Sequence, residues 1–277
     1  MPEIPSPTLQ IDGIDIHVEG DSPDTLVMIH GWPDTRRLWD TQVAHFKATH
    51  RCVRFTLPGF DVSQPRRAFT LDELLSFFDR VITQTSPHAP VTLMLHDWGC
   101  VFGYAYVARY PQRVKRLIGI DIGDALSREF IAACSVRAKA GIAAYQLWLA
   151  LAWLVGGHVS RRLGDAMTRW MARQLGWRGD AALVGAPMNY PYFIAWSGRH
   201  GGYRQLRPVT PSCPMFFAYA QRKPVMFHSP GWLARLAATT GHHVECYATG
   251  HWVMRQAAAK FNADVSAWLA RTVDMKP

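Results

Sequence analysis

One stretch constrains this chain more than any other. Val91–Thr92–Leu93–Met94–Leu95 is a continuous run of apolar and β-branched residues, which reads as a buried strand. It meets His96–Asp97–Trp98–Gly99 and passes at once into Val101–Phe102–Gly103–Tyr104–Ala105–Tyr106–Val107–Ala108, which reads as a helix. A strand that becomes a helix within two or three residues holds the turn residue in a strained, protruding position, the geometry of a nucleophile elbow. Asp97 occupies that position, and Gly99 suits a helix that must pass close to the strand. An Asp that merely caps a helix gives the same letters, so the rest of the chain has to decide.

With 277 residues, 49% of them apolar, there is material for one large domain or for a domain with an inserted lobe. Residues 9–18 alternate polar and apolar about Asp12–Gly13, a hairpin signal. Residues 25–29 form an unbroken apolar run, hence a central strand, and end in His30–Gly31–Trp32–Pro33–Asp34. A helix over 35–48 and a strand over 51–57 follow, then a helix over 71–84 opened by Thr70 with Glu73 three residues on, a capping box. The elbow helix stops at Tyr110–Pro111, and residues 114–122 are the next strand. Strands alternating with helices predict the α/β class, with a mostly parallel central sheet and helices on both faces. The alternation breaks over 124–208, which is helical, rich in Trp and Tyr, and bracketed by Gly, Pro and Arg. It predicts an inserted helical cap on a core made of 1–123 and 209–277. The sheet resumes over 213–220, a helix spans 230–240, and a last strand at 244–248 runs into Thr249–Gly250–His251–Trp252. One long helix over 253–272 closes the core.

Several classes are disfavoured. Cys52, Cys100, Cys134, Cys213 and Cys246 are sparse, odd in number and without a C-x-x-C pair, the pattern of a reduced, cytoplasmic protein. Residues 1–13 hold neither a basic nor an apolar leader region, so no signal peptide is expected. The formal charge of +9 is scattered in pairs such as Arg36–Arg37, Arg66–Arg67 and Arg161–Arg162. With no basic stripe interleaved with aromatics, it points away from nucleic acid. Residues 140–155 are almost all apolar, yet shorter than the ~20 residues that a bilayer crossing takes. They predict a buried cap helix and no membrane partner. No His-Glu-x-x-His occurs, and His242–His243 has no ligand spacing with an acid or Cys, so neither a metal nor another cofactor is expected. His17, His45, His50, His88, His158, His200 and His228 lack any catalytic context and read as surface residues. Gly-x-Ser-x-Gly is absent, so a serine esterase would lack its nucleophile.

Three features coincide at carboxyl ends of strands, where open α/β sheets place their sites. Asp97 is on the elbow, His251 follows the last strand, and Asp121 ends the strand after the elbow helix. Nucleophile, base and orienting acid on separate loops of one edge make a triad. On these residues the chain resembles the α/β-hydrolase superfamily, and within it the Asp-nucleophile branch of epoxide hydrolases and haloalkane dehalogenases. The resemblance covers nearly the whole chain and rests on His-Gly-x-Pro at 30–33, His-Asp-Trp-Gly at 96–99 and a late Gly-His at 250–251. In many epoxide hydrolases the triad acid follows the strand after the cap, but here Lys223 stands there. Other members of the branch place it after the elbow helix, and Asp121, 24 residues past Asp97, matches them. Asp124 is the alternative acid, unless it caps the first cap helix. The family also uses two cap tyrosines. Tyr145–Gln146–Leu147, 48 residues past Asp97, resembles the Tyr-Gln-Leu of mammalian-type soluble epoxide hydrolases, and Tyr203–Arg204 resembles the late Tyr-Arg. Tyr190 and Tyr192 are reserves.

The resemblance therefore implies an epoxide hydrolase that turns a small apolar or aromatic epoxide and water into a diol. Asp97 would form an alkyl ester, and His251, held by Asp121, would activate water against it. The backbone N–H groups of Trp32 and Trp98 would receive the oxyanion, and Tyr145 and Tyr203 would protonate the opening ring. Haloalkane dehalogenase is the alternative, favoured by the Trp98 indole, by Leu95 and by the early acid. A non-catalytic binder that keeps the fold is the alternative from another class. A homodimer is left open.

Overall fold

The computed structural model describes residues 8–272. Most of the stretch examined for a leader, together with the last five residues, lies outside them. The hairpin forms as the Asp-Gly signal requires: β1 (Thr8–Ile11) pairs antiparallel with β2 (Ile14–Glu19), and Ile11 opposes Ile14 across a two-residue turn. Asp12 and Gly13 both take positive φ, 51° and 76°, the demand of a type I′ turn. β3 (Thr25–Ile29) is buried along its whole length, as is β5 (Val91–His96), which is why both read as unbroken apolar runs. Residues 36–39 form a 3₁₀ turn, and α1 (Asp40–Phe46) follows it; β4 is Arg51–Phe55. α2 (Leu71–Thr85) carries the reciprocal Thr70–Glu73 capping box.

From the elbow onward the order is α3 (Trp98–Arg109), β6 (Val114–Ile120), α4 (Arg128–Ala133), α5 (Val136–His158), α6 (Arg161–Gln174), α7 (Tyr190–Ser197), β7 (Met215–Ala220), α8 (Pro230–Ala238), β8 (His243–Tyr247), α9 (Val253–Gln256) and α10 (Ala258–Arg271). The single closing helix expected over 253–272 is thus two, because Ala257 leaves helical backbone at φ −127°, ψ 39°. Strand order is β1-β2-β4-β3-β5-β6-β7-β8, with only β1 and β2 antiparallel to their neighbours. Successive side chains of a strand point to opposite faces, so β7 shows what covers each. Phe216 packs on Phe261 and Trp268 of α10, and Phe217 on Trp232 of α8.

The chain runs from β3 outward to β4 and then returns to β5 on the other side of β3. Such a reversal leaves a crevice at the carboxyl ends of the two central strands. Between β6 and β7, adjacent strands of the sheet, the chain forms helices joined by loops and no strand. The apolar stretch over 140–155 lies within α5, but α5 is not a buried helix. Only Leu149, Ala150, Ala152 and Trp153 are buried, and Leu147, Leu151 and Leu154 stand exposed.

Candidate active site

The carboxyl ends of β3, β5, β6 and β8 bring the predicted residues together. Asp97 sits between β5 and α3 at φ 53°, ψ −123°, a backbone that L-residues avoid unless their surroundings impose it. Two glycines make room for it. A side-chain carbon on Gly99 would strike the carbonyls of Ile29 and His30, and one on Gly31 would strike the Asp97 carboxylate and the Trp98 amide. The elbow therefore presses directly on the loop after β3. That loop is fixed by His30, a fully buried ring whose Nε2 accepts the Leu57 N–H at 2.9 Å and whose Nδ1 donates to the Gly31 carbonyl at 2.9 Å. Burial lowers its pKa to about 4, so it stays neutral.

So placed, the Trp32 N–H donates to Asp97 Oδ1 at 2.6 Å, and the Trp98 N–H is hydrogen-bonded to the same carboxylate. These are the two donors anticipated for an oxyanion, here gripping the carboxylate itself. Its other oxygen, Oδ2, lies 3.5 Å from His251 Nε2. His251 Nδ1 is 2.5 Å from Asp121 Oδ2. The Asp97 and His251 side chains each keep 17% exposure, so solvent and small molecules reach them, whereas Asp121 has none. Burial works against a charge on His251, but the Asp121 and Asp97 carboxylates outweigh it and raise the ring to about 9. Burial also works against charge on Asp97. Its hydrogen bond to His251 and the imidazolium charge reverse that and hold it below the usual carboxylate range.

Asp124, the alternative acid, is turned away. Its carboxylate accepts from Ser229 N–H at 2.6 Å, Ser229 Oγ at 2.7 Å and Ser127 Oγ at 2.6 Å, tying the start of α4 to the start of α8. Lys223, at the position where an acid was sought, reaches Asp121 instead. Its Nζ lies 2.6 Å from Oδ1, which also accepts the Ala220 N–H at 2.9 Å. The residue after β7 thus supplies a counter-ion to the carboxylate that ends β6. Burial pushes Asp121 up, but Lys223 and His251 bring it below the ordinary carboxylate value.

The tyrosines divide. Burial raises the hydroxyl pKa of Tyr145 and of Tyr192, and the Asp97 charge adds to it in both. Their rings are 6.1 Å apart, and Tyr192 stands edge-on to Trp32 and Trp98 at 5.8 and 5.3 Å. The Tyr203 ring also lies against Trp98, at 6.0 Å, but its hydroxyl is committed elsewhere. Its hydroxyl donates to the Phe69 carbonyl at 3.2 Å, and the charges acting on it are those of Tyr190 and Glu73. Tyr192, a reserve in the sequence reading, holds the place sought for Tyr203. Of the two indoles near Asp97, that of Trp32 donates to Asn189 Oδ1 at 2.8 Å, and that of Trp98 meets the Tyr192 ring edge-on.

Several site residues went unread. His96, just before Asp97, is fully buried, and its ring is 4.4 Å from that of His251, whose carbonyl accepts from His96 Nε2 at 3.2 Å. Burial and the His251 charge lower it to about 3, so it packs beside His251 as a neutral ring. Asp34 accepts the Trp252 indole N–H at 2.7 Å and the Trp177 indole N–H at 3.1 Å, linking the base loop to the helical segment. Burial raises it to about 6 despite those two donors. The signal for both was their place beside quoted motifs. His228, read as a surface residue, is buried against Phe217 and Tyr219. Among the described residues no group of three or more His, Cys, Asp or Glu is placed to hold a metal ion.

Comparison with known proteins agrees with this architecture. A probable oxidoreductase, EphD, of Mycobacterium tuberculosis is 39% identical over 105 residues, which cover 35% of this chain and 18% of that protein. Epoxide hydrolase 2 of Caenorhabditis elegans is 27% identical over 115 residues, 40% of this chain and 32% of that one. The chain thus spans a third or less of these relatives' lengths. The crystal structure of Bacillus megaterium epoxide hydrolase with an inhibitor superposes with a TM-score of 0.70 at 17% identity, over 95% of this chain and 100% of that one. Residues 24–232 match the family described as having the alpha/beta hydrolase fold, and the chain belongs to that family.

Proposed function

We propose that the protein is an epoxide hydrolase, with residues 124–208 as its cap, acting on small apolar or aromatic epoxides. The observation that carries this reading is the Asp97 carboxylate. One oxygen is held by a backbone donor, the other faces His251, and Tyr192, with Tyr145 behind it, packs on the two tryptophans that flank the carboxylate. A carboxylate aimed at an sp³ carbon is an effective nucleophile despite its weak basicity. The relatives named epoxide hydrolases support the assignment.

The charge states form a closed cycle. At neutral pH the resting site holds Asp97 as an anion and His251 as a cation, since the ring is raised to about 9. Attack by Asp97 on the epoxide carbon forms an ester C–O bond and breaks the ring C–O bond. The alkoxide takes the proton of Tyr145 or Tyr192. Esterification removes the Asp97 charge, so the His251 pKa falls and its proton restores the tyrosine. The ring is now the neutral base the second step needs. It takes a proton from water, and hydroxide adds to the ester carbonyl. The oxyanion rests on the Trp32 and Trp98 N–H groups. Collapse breaks the bond to the alkoxide, which receives the proton of the reformed carboxyl. Asp97 anion, His251 cation and tyrosine are all restored.

A halide leaving group would need a pair of free donors, and the Trp32 indole is already committed to Asn189. Turnover of an aryl epoxide beside a terminal bromoalkane in ¹⁸O water decides. We expect the epoxide to turn over and label to enter the Asp97 carboxylate. A bromoalkane turned over faster would make it a dehalogenase, and an unlabelled carboxylate would end the covalent route.

The tyrosine assignment has its own consequence. Tyr145→Phe and Tyr192→Phe should each slow alkyl-enzyme formation about a hundredfold, the lower range for loss of a general acid. Tyr203→Phe should leave that rate within about twofold, because its hydroxyl serves the Phe69 carbonyl. Stopped-flow quenching of tryptophan fluorescence checks all three. Equal effects at 192 and 203 would overturn the assignment of Tyr192. Five free cysteines, with no disulfide among the described residues, fit work in a reducing compartment such as the cytoplasm.

A further inference from the structure

Helix α5 is long and apolar enough to cross a bilayer, yet it packs on α6 and α7 by a narrow buried face. The opposite face is also apolar. Val136, Ala140, Ala144, Leu147, Leu151 and Leu154 are all exposed. Their spacing of four, four, three, four and three residues puts them in one stripe, about 27 Å long at 1.5 Å per residue. Leu147 and Leu151 are 47% and 48% exposed. Exposed tryptophans border the stripe on both sides. Trp170 of α6 lies 5.0 Å from the Trp148 ring, and the Trp196 indole of α7 donates to Gln146 at 3.1 Å.

Charge is concentrated in the same segment. Residues 124–208 hold 11 Lys and Arg against 4 Asp and Glu, a surplus of 7 within the chain's +9. Among the described residues Arg137, Lys139, Arg162 and Arg173 have no acidic partner within ion-pair range. An apolar stripe bordered by indoles, on a segment that carries unpaired cations, matches an anionic lipid surface in each part. Leucines reach the acyl boundary, tryptophans the interface, and arginines the headgroups. A second copy of the chain would instead set a surplus of positive charge against its own like.

We infer that the outer face of the cap docks peripherally on anionic membranes, α5 lying in the interface plane without crossing it. This revises the sequence-based expectation of no membrane partner and is independent of the reaction catalysed. The test is co-sedimentation of the full chain with phosphatidylcholine vesicles, with and without phosphatidylglycerol, together with a Leu151→Gln/Leu154→Gln variant. Binding should require phosphatidylglycerol and weaken with added salt. The variant should lose roughly tenfold or more in affinity. Its thermal melt and its turnover of a water-soluble substrate should be unchanged, because both side chains are exposed. No sedimentation, or equal sedimentation of the variant, would overturn the inference. So would a dimer that light scattering detects without lipid and that the double variant abolishes, since the face would then belong to a second copy.

Discussion

His251→Gln should trap the enzyme halfway. Asp97 keeps its backbone donors and its place at the elbow, so the ester still forms. The ring that would take a proton from water is gone, and ester hydrolysis should fall by about 10²–10⁴. Intact-mass spectrometry during turnover of an aryl epoxide should show one added substrate mass, and peptide mapping should place it on Asp97. An unmodified protein at substantial residual turnover would remove His251 from the second step. The native enzyme adds a pH test. Resting His251 is raised to about 9, partly by the Asp97 charge. That charge is absent in the ester, so single-turnover hydrolysis should rise with pH and level off at a midpoint below 9. A midpoint at 9 or above would mean that esterification does not release the ring's proton.

The second large effect is expected at Lys223. Its ammonium and the Asp121 carboxylate are 2.6 Å apart, and both side chains are buried, at 7% and 0% exposure. Removing one member of a buried pair leaves the other without its counter-charge, which costs about 3–5 kcal/mol. His251 and the Ala220 N–H remain on Asp121, so Lys223→Met should lose about 3 kcal/mol, read by denaturant unfolding. A structural pair alone would stop there. Without Lys223, however, Asp121 serves His251 alone and holds the imidazolium more firmly. The pH limb of ester hydrolysis should then move to higher pH, and Lys223→Arg should bring it back. Unchanged stability together with an unmoved limb would show the ion pair to be idle in both respects.

The strands and the elbow were legible because their causes are local. β3 and β5 are buried on both faces and had to be unbroken apolar runs. Asp97 had to be followed by Gly99, since nothing larger passes the carbonyls of Ile29 and His30. Lys223 was visible only as a departure. Its meaning depends on β6 and β7 lying side by side, which brings together residues 102 positions apart. Tyr203 and Tyr192 could not be ranked from their letters. Tyr203, left-handed at φ 52°, commits its hydroxyl to the Phe69 carbonyl, whereas α7 carries Tyr192 between Trp32 and Trp98. The exposure of α5 was hidden for a related reason. A helix apolar all round gives no direction by which to tell its inner side from its outer.

The Asp34 carboxyl, shared by the indoles of Trp177 and Trp252, has a further consequence. Each donor it keeps favours its ionised form, and it rests at about 6. Trp177→Phe strips one donor while leaving the carboxyl buried, and its proton affinity must then climb. In that variant the carboxyl should take up its proton at a higher pH than in the native protein, and the Trp252 indole would then donate to a neutral partner.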